Sequence, residues 1–548
     1  MCGIFAVFNN RTIENDKLNK NFMKARGRGP ESTKYTNDTI NKYTLGFLRL
    51  AINGLDEISD QPLNINDVIL ICNGEIYNYK KLYENIKVAP QTNSDCEIII
   101  HLYKKYGIDQ TLQMIDGVFA FVLIDKDKAY VARDPYGVRP LFKQQYMNGT
   151  FFPEECLFFA SEAKQLMHEY NTDSKISQFE PGTYCHLQRE KDHDWVVKYN
   201  KTYHAFGFLQ QVKYTDKENS LNYYRKLIHE RLTQAVRKRV QTTDRPIACL
   251  LSGGLDSSLI TSLVSSISDK QVETYSIGLK DSVDLKYARM VADHLKTKHT
   301  EIVVSEETFF DAIPEVIKTI ESYDTTTVRA SVGNYLVAKY ISEHSEAKVI
   351  FNGDGSDELT GGYMYFHCAP DSYEFDAECR RLLKNIHFFD VLRSDRCISA
   401  HGLEARTPFL DRSFVELYLS IPCELRNHTI DGRCEKYLLR SSFMKQGLLP
   451  EKVLWRTKEA FSDGVSGMNK SWTDIISEKI KTGNLVKSKK HYLTNIPKTD
   501  EEYYYRSEFK KHYPKCDNLI PYFWMPKYVD AKDASARKLN IYKEKIEQ

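Results

Sequence analysis

Short apolar runs set between turn residues dominate the first 200 positions of this chain. Residues 68–72, 118–124 and 129–132 are of this kind and predict strands. Asp125-Lys126-Asp127-Lys128 lies between the last two and predicts a hairpin turn. An antiparallel sheet system follows, with a helix around residues 97–102. Residues 1–8 are apolar but have no basic segment before them and meet Asn9-Asn10-Arg11 at once. They predict a buried first strand rather than a signal peptide. Residues 205–218 predict a linker, and Ser220 is a candidate N-cap for the helix after it. Along that helix Leu221, Tyr224, Ile228, Leu232, Ala235 and Val236 recur at helical spacing.

After residue 245 the rhythm changes. Runs at 247–251, 274–277, 302–304 and 349–351 are β-like and separated by helix-length segments. That alternation predicts a parallel, doubly wound sheet. Ligands of such sheets bind beyond the carboxyl ends of the strands, where Ser252, Gly278 and Gly353 are expected. Beyond residue 370 the pattern is mainly helical.

Size and composition narrow the class. At 548 residues, two or more domains are expected. A net charge of +2 gives no field directed at nucleic acid or an anionic membrane. No apolar run is long enough to span a bilayer. The 12 cysteines form no Cys-x-x-Cys pair, so reduced core thiols in a cytoplasmic protein are expected.

The most informative stretch is Ser252-Gly253-Gly254-Leu255-Asp256-Ser257-Ser258, between an apolar run and a helix-compatible segment. Strand, glycine turn and helix start together offer backbone N–H groups and hydroxyls to an anion. The stretch is neither a Walker loop nor a dinucleotide fingerprint. It resembles the PP-loop of ATP pyrophosphatases.

Cys2 is the second candidate centre. With Met1 removed, its free α-amine could act as base for its own thiol. Cys2-Gly3-Ile4, Arg26-Gly27-x-Gly29-Pro30, Arg49-Leu50-Ala51-Ile52, Asn73-Gly74-Glu75-Ile76-Tyr77-Asn78 and Ser94-Asp95 occur in that order. As a set they resemble the N-terminal-nucleophile glutamine amidotransferases. The resemblance implies Cys2 as nucleophile and Asn73 and Gly74 as the oxyanion hole. It implies Arg49 as the anchor for the glutamine α-carboxylate, and Glu75 and Asp95 as anchors for its α-amine. Leu50, Ala51, Ile52 and Asn53 complete the implied glutamine site.

Further motifs follow: Glu321-Ser322-Tyr323-Asp324-x-Thr326-Thr327-Val328-Arg329, Gly355-Ser356-Asp357-Glu358-Leu359, Gly402-Leu403-Glu404-x-Arg406-x-Pro408 and Trp455-Arg456-x-Lys458-Glu459-Ala460-Phe461. With both centres they resemble the glutamine-hydrolysing asparagine synthetases, nearly end to end. The resemblance implies an αββα amidotransferase domain over residues 1–205 and a PP-loop synthetase domain over 206–548. It implies that aspartate and MgATP give β-aspartyl-AMP, which ammonia from glutamine converts to asparagine and AMP. Ser252, Gly253, Gly254, Ser257 and Ser258 would hold pyrophosphate, with Asp256 and Asp357 on Mg²⁺. Leu251 and Ile277 would pack adenine, and Asn352 and Gly353 would meet the nucleotide. Lys458 would neutralise phosphate charge, and Thr326, Thr327 and Arg329 would surround aspartate and phosphate. The implied partners are the small molecules glutamine, aspartate and ATP; a homodimer is left open.

One position departs from the pattern. Where the family usually reads Ser-Gly-Glu-Gly-Ser-Asp, this chain reads Asn352-Gly353-Asp354-Gly355-Ser356-Asp357. The family's glutamate is assigned to adenylate formation and ammonia deprotonation. Asp354 is shorter by one C–C bond, roughly 1.5 Å, so a reduced synthetase rate is expected. Two alternatives stand beside this reading: a relative that activates another carboxylate, as β-lactam synthetase does, and a weakly active regulatory homologue.

Overall fold

The computed structural model describes residues 1–11, 13–146, 156–167, 174–190, 194–205, 217–430, 432–459, 461–467, 470–486 and 489–535. Most of the expected linker, and Ala460, lie outside the described residues.

Two antiparallel sheets form the first part. One has the order β10 (Ser174–Gln178), β8 (Phe142–Tyr146), β9 (Leu157–Ala160), β1 (Gly3–Phe8), β3 (Tyr43–Arg49), β2 (Ser32–Asp38). The other has β12 (Trp195–Thr202), β11 (Thr183–Arg189), β7 (Lys128–Arg133), β6 (Gly117–Asp125), β5 (Val68–Ile76), β4 (Leu63–Ile65). Period-two alternation decides which side chains meet. Ile4, Ala6 and Phe8 of β1 share a core with Ile71 of β5 and with Ala120, Val122 and Ile124 of β6. Phe5 and Val7 point the other way, onto Leu18 and Phe22 of the helix Asn15–Phe22. On the far side Leu70, Phe119, Phe121 and Leu123 pack on the helices Tyr79–Ile86 and Ile98–Met114. The layers are therefore helix, sheet, sheet, helix, as expected. The expected turn at 125–128 joins β6 to β7, with Lys126 at φ 56°.

The second part is built on a five-stranded parallel sheet. Its order is β15 (Lys298–Val304), β14 (Glu273–Leu279), β13 (Ile247–Leu250), β16 (Val349–Phe351), β17 (Glu404–Arg406). Helices cover both faces. Ala248, Ile277 and Ile350 pack toward Val328 and Val332 of the helix Thr325–His344. Cys249, Val349 and Phe351 pack toward the helices Lys217–Gln241 and Leu255–Ile267.

Two expectations need correction, and one strand lay outside them. The helix expected to start at Ser220 begins at Lys217, because Lys217 and Glu218 are good helix formers and extend it by most of a turn; Ser220 is buried inside it. Gly278 lies within β14 rather than past its end. A Cβ there would stand 2.6 Å from the Ser282 Cβ, so glycine lets the following turn fold back tightly. β17 was not foreseen. Its three residues, Glu404-Ala405-Arg406, carry two charges, and they are buried because each charge is paired.

No helix among the described residues is long and apolar enough to cross a membrane. Phe309 is fully buried and meets Trp472 edge-on at 4.8 Å between ring centroids. Phe309→Ala should cost about 3–5 kcal/mol, seen as an earlier urea transition of this part; an unchanged midpoint would refute that packing role.

Candidate active sites

The first centre gathers at the start of β1. Cys2 is half-buried, and its Sγ donates to the Leu50 carbonyl at 3.5 Å. Burial pushes the thiol up to about 11. Met1 is buried against it, and its α-ammonium donates to the Leu403 carbonyl at 3.0 Å. Burial pulls that amine down to about 5. While Met1 is present, the Cys2 nitrogen is an amide and cannot serve as a base.

β5 contributes Asn73, Gly74 and Glu75. Asn73 is fully buried, and neither its Oδ1 nor its Nδ2 has a partner. An orphaned buried amide is costly, and a bound ligand would satisfy it. A Cβ on Gly74 would lie 2.6 Å from the Val118 carbonyl oxygen on β6, so only glycine fits there. Glu75 Oε2 accepts from Asn53 Nδ2 at 2.6 Å and from Arg406 Nη2 at 3.1 Å. Burial, with Glu404 and Asp95 nearby, pushes its carboxyl well above the usual range. Asp95 Oδ2 accepts from the Ile76 amide at 2.6 Å, and burial pushes it up to about 6.

Arg49 closes β3, and its two terminal nitrogens bond neighbouring loop residues. Nη1 bonds the Asp56 carbonyl at 2.8 Å and Asp60 Oδ1 at 2.5 Å, and Nη2 bonds the Gly54 carbonyl. Residues 50–53 cross to the second part of the chain. The Ala51 carbonyl accepts from Arg245 Nε at 2.8 Å, and the Ile52 carbonyl from the Asp244 amide at 2.9 Å.

The second centre is a cleft beyond the carboxyl ends of β13, β14 and β16. Leu251, Ser252, Gly254, Asp256, Ser257, Ile277, Thr326, Asn352, Gly353, Asp354, Asp357 and Lys458 all line it. The loop before helix Leu255–Ile267 has Gly253 at φ +73°, where a Cβ would stand 2.4 Å from the Ala288 amide nitrogen. Ser252 Oγ and Ser257 Oγ lie 2.9 Å apart and tie the loop to the helix start. Gly353 approaches the same helix: a Cβ would lie 2.8 Å from the Asp256 carbonyl carbon. Thr326 Oγ1 is buried at the cleft without a partner.

Four of the expected residues are not on the lining. Gly253 is in the loop but packs against the Tyr287–Ala288 backbone, and Ser258 is fully buried in the helix. Thr327 donates to the Asp324 carboxylate at the N-terminus of helix Thr325–His344. Arg329 is bidentate to Glu501 and also pairs with Asp533.

The expected carboxylates Asp256 and Asp357 are brought together by a lysine the sequence reasoning missed. Lys436 is 1% exposed, and its Nζ lies 2.6 Å from Asp256 Oδ2 and 2.6 Å from Asp357 Oδ1. Lys458 Nζ adds a contact of 2.8 Å to Asp357 Oδ2. Burial opposes ionisation of Asp357, yet Lys436 and Lys458 outweigh it and hold the carboxylate well below its usual range. Burial would lower Lys458, but Asp357 and Asp256 raise it instead.

Beside this pair lies a second charged group. Arg393 Nη2 bonds Asp354 Oδ1 at 3.1 Å and Asp390 Oδ1 at 2.6 Å. Asp354 Oδ2 is buried and unpartnered, and burial pushes that carboxyl up. Tyr363 donates to Glu358, whose carboxyl is pushed well up by burial and by Asp390. Glu358, Asp390, Arg393 and Lys436 were not singled out from the sequence. Glu358 sat in a motif already noted, and Asp390 and Arg393 form an i,i+3 pair on one helix. Lys436 carries no local signal.

Cys2 and the unpartnered Asn73 amide in the first part, and a cleft built on a glycine turn and a parallel sheet in the second, give the chain two candidate centres. Residues 1–221 match the family model described as Glutamine amidotransferase domain, and residues 227–375 and 369–536 match Asparagine synthase. The chain is 42% identical over 575 residues to the Asparagine synthetase [glutamine-hydrolyzing] of Gallus gallus, covering 100% of both. It is 41% identical over 573 residues to that of Homo sapiens, again with 100% of both covered. The chain belongs to the asparagine synthase family.

Gly253→Ala should weaken ATP binding at least tenfold, read by calorimetry, because the new methyl can fit only if the loop moves; unchanged affinity would contradict the account of the loop.

Proposed function

We propose that this chain makes L-asparagine from L-aspartate and ATP with nitrogen from L-glutamine, using residues 1–205 for the glutamine step and 206–548 for the synthetase step. The observation that carries this reading is that the two centres share a boundary. Glu75 of the first is bonded to Arg406, on the edge strand of the sheet that forms the second.

In the first centre, removal of Met1 frees the Cys2 amine to take the thiol proton. The sulfur attacks the glutamine amide carbon. Asn73 and Gly74 stabilise the oxyanion, and the unpartnered Asn73 amide supports that role. Arg49, Glu75 and Asp95 hold the amino-acid end, with Leu50, Ala51, Ile52 and Asn53 around it. Collapse releases ammonia, and water cleaves the thioester to glutamate.

In the second centre, the loop Ser252, Gly253, Gly254, Ser257 and Ser258 holds the β- and γ-phosphates. Leu251 and Ile277 flank adenine, with Asn352 and Gly353 against the nucleotide. Thr326, Thr327 and Arg329 order the aspartate and phosphate surroundings, the last two from behind the lining. An aspartate carboxylate oxygen attacks the α-phosphorus and pyrophosphate leaves. Ammonia then attacks the acyl carbon of β-aspartyl-AMP and AMP departs. Asp354 takes the ammonia proton, and Lys458 balances phosphate charge.

Asp256 and Asp357 fit Mg²⁺, which takes one or two carboxylates together with phosphate oxygens. The lysine ammonium already between them is a sign that the pair favours a cation. When bound, the ion would neutralise charge on the phosphates. A cytoplasmic setting accords with the free cysteines, most of which are buried. The partners are small molecules, with neither nucleic acid nor a membrane among them.

Incubation with aspartate, glutamine and MgATP should yield asparagine and AMP. AMP formed only with a different carboxylate would overturn the substrate assignment. Cys2→Ala should abolish glutamine-dependent synthesis and spare at least half of ammonia-dependent synthesis; equal loss of both would refute the division of labour. The second reading, a weakly active homologue, is favoured by Asp354. Asp354→Glu should raise synthetase turnover several-fold, and a slower variant would remove that reading's support.

A further inference from the structure

Helix Asp390–Ser399 lines the cleft and reaches Cys2 through Arg28. Toward the cleft, Arg393 holds Asp354 and Ser394 Oγ accepts from Asn352 Nδ2 at 2.6 Å. On the opposite side Asp395 grips Arg28 bidentately: Oδ2 accepts from Nη1 at 2.6 Å and Oδ1 from Nη2 at 3.1 Å. Ser399 Oγ accepts from the same Nη1 at 2.9 Å. Arg28 then donates from Nε to the Cys2 carbonyl at 2.9 Å. Every residue from 391 to 399 is buried. A packed helix held at both sides moves as a unit, because close-packed interiors transmit displacement rather than absorb it.

The guanidinium of Arg28 is 1% exposed and spends its donors on Cys2, Glu162, Asp395 and Ser399. Its orientation is therefore fixed by the helix, and the carbonyl it holds belongs to the residue that carries the thiol. Among the described residues Asp395 and Ser399 make no side-chain hydrogen bond to the cleft lining, so each is a positioning residue rather than a catalytic one.

We propose that helix Asp390–Ser399 couples the two centres, with Asp395 as the positioning residue that, through Arg28, sets the Cys2 backbone according to how Asn352 and Asp354 sit in the cleft. This rests on the two-centre function above. A ligand that engages Asn352 or Asp354 shifts Ser394 and Arg393, hence Asp395 and Arg28. By linkage, any gain in glutamine affinity that a cleft ligand brings is matched by an equal gain in cleft affinity when glutamine is bound.

A second group of buried charges serves as comparison. Glu321 holds Arg396 at 3.0 Å on the same helix, but it bonds neither Arg28 nor the cleft directly and meets Arg28 only through Arg396 and Glu162. Removing its charge weakens the helix seat without cutting the connection to Cys2.

The test uses the full chain. Glutamate release from glutamine is measured with and without aspartate plus MgATP, alongside asparagine formation from ammonia. The wild type should show stimulation of glutamate release by about fivefold or more, the lower end of usual coupling. Asp395→Asn should lose it to within twofold of none while ammonia-dependent synthesis stays within about threefold of wild type. Asp395→Glu should restore part of it, and Glu321→Gln should keep it. The inference is overturned if Asp395→Asn keeps full stimulation, if Glu321→Gln loses it equally, or if a wild type that makes asparagine shows none. Should Asp395→Asn fail to fold, Ser394→Ala on the cleft side decides: stimulation at least halved supports the coupling, and unchanged stimulation ends it. A wild type that forms no asparagine overturns the two-centre function itself, and is told apart from failure of the coupling by that product alone.

Discussion

Buried charge between the two parts of the chain constrains everything else in this structure. Arg28, Arg139, Arg396 and Arg406 are each at most 1% exposed, and they are matched by Glu75, Glu162, Glu321, Asp395 and Glu404. Removing one partner of such a pair typically costs about 3–5 kcal/mol, because the other charge is left stranded. The boundary therefore tolerates few relative placements of the two sheets. Apolar packing continues across it, since Phe5 and Leu48 share one cluster with Ile398 and Leu403.

Backbone geometry fixes the second centre as firmly as charge fixes the boundary. Gly253 has a positive φ, and Gly353 approaches the helix that follows the loop within van der Waals contact. These two glycines let β13, β16 and helix Leu255–Ile267 converge, which places Ser252, Asp256 and Asp357 around one space. Lys436 and Lys458 then hold the two carboxylates together. The price of burying those charges is offset by their mutual pairing.

Much of this was legible from local pattern. Apolar runs at residues 68–72 and 118–124 named the sheet strands, and the glycine-rich stretch at 252–258 named the turn between β13 and helix Leu255–Ile267, because both depend on neighbours in sequence. The eight-residue run at the start gave β1 for the same reason. β17 was not legible: a strand of only three residues, two of them charged, is hidden unless the distant partners Arg139 and Glu75 are known. Lys436 was hidden likewise, since its two carboxylates lie 180 and 79 positions away in sequence. Arg329 matched a functional motif but is committed to Glu501 and Asp533, neither of which the motif contains.

The proposed function requires the two centres to act together, so that nitrogen freed at Cys2 reaches the cleft across their shared buried boundary rather than through bulk solvent. Glutamine labelled with ¹⁵N at the side-chain amide, supplied with aspartate, MgATP and a large excess of unlabelled ammonia at subsaturating effect on the cleft, tests it most directly. Asparagine should carry ¹⁵N well above the proportion of label in the mixed ammonia pool. Asparagine whose label merely equals that of the pool would contradict the account.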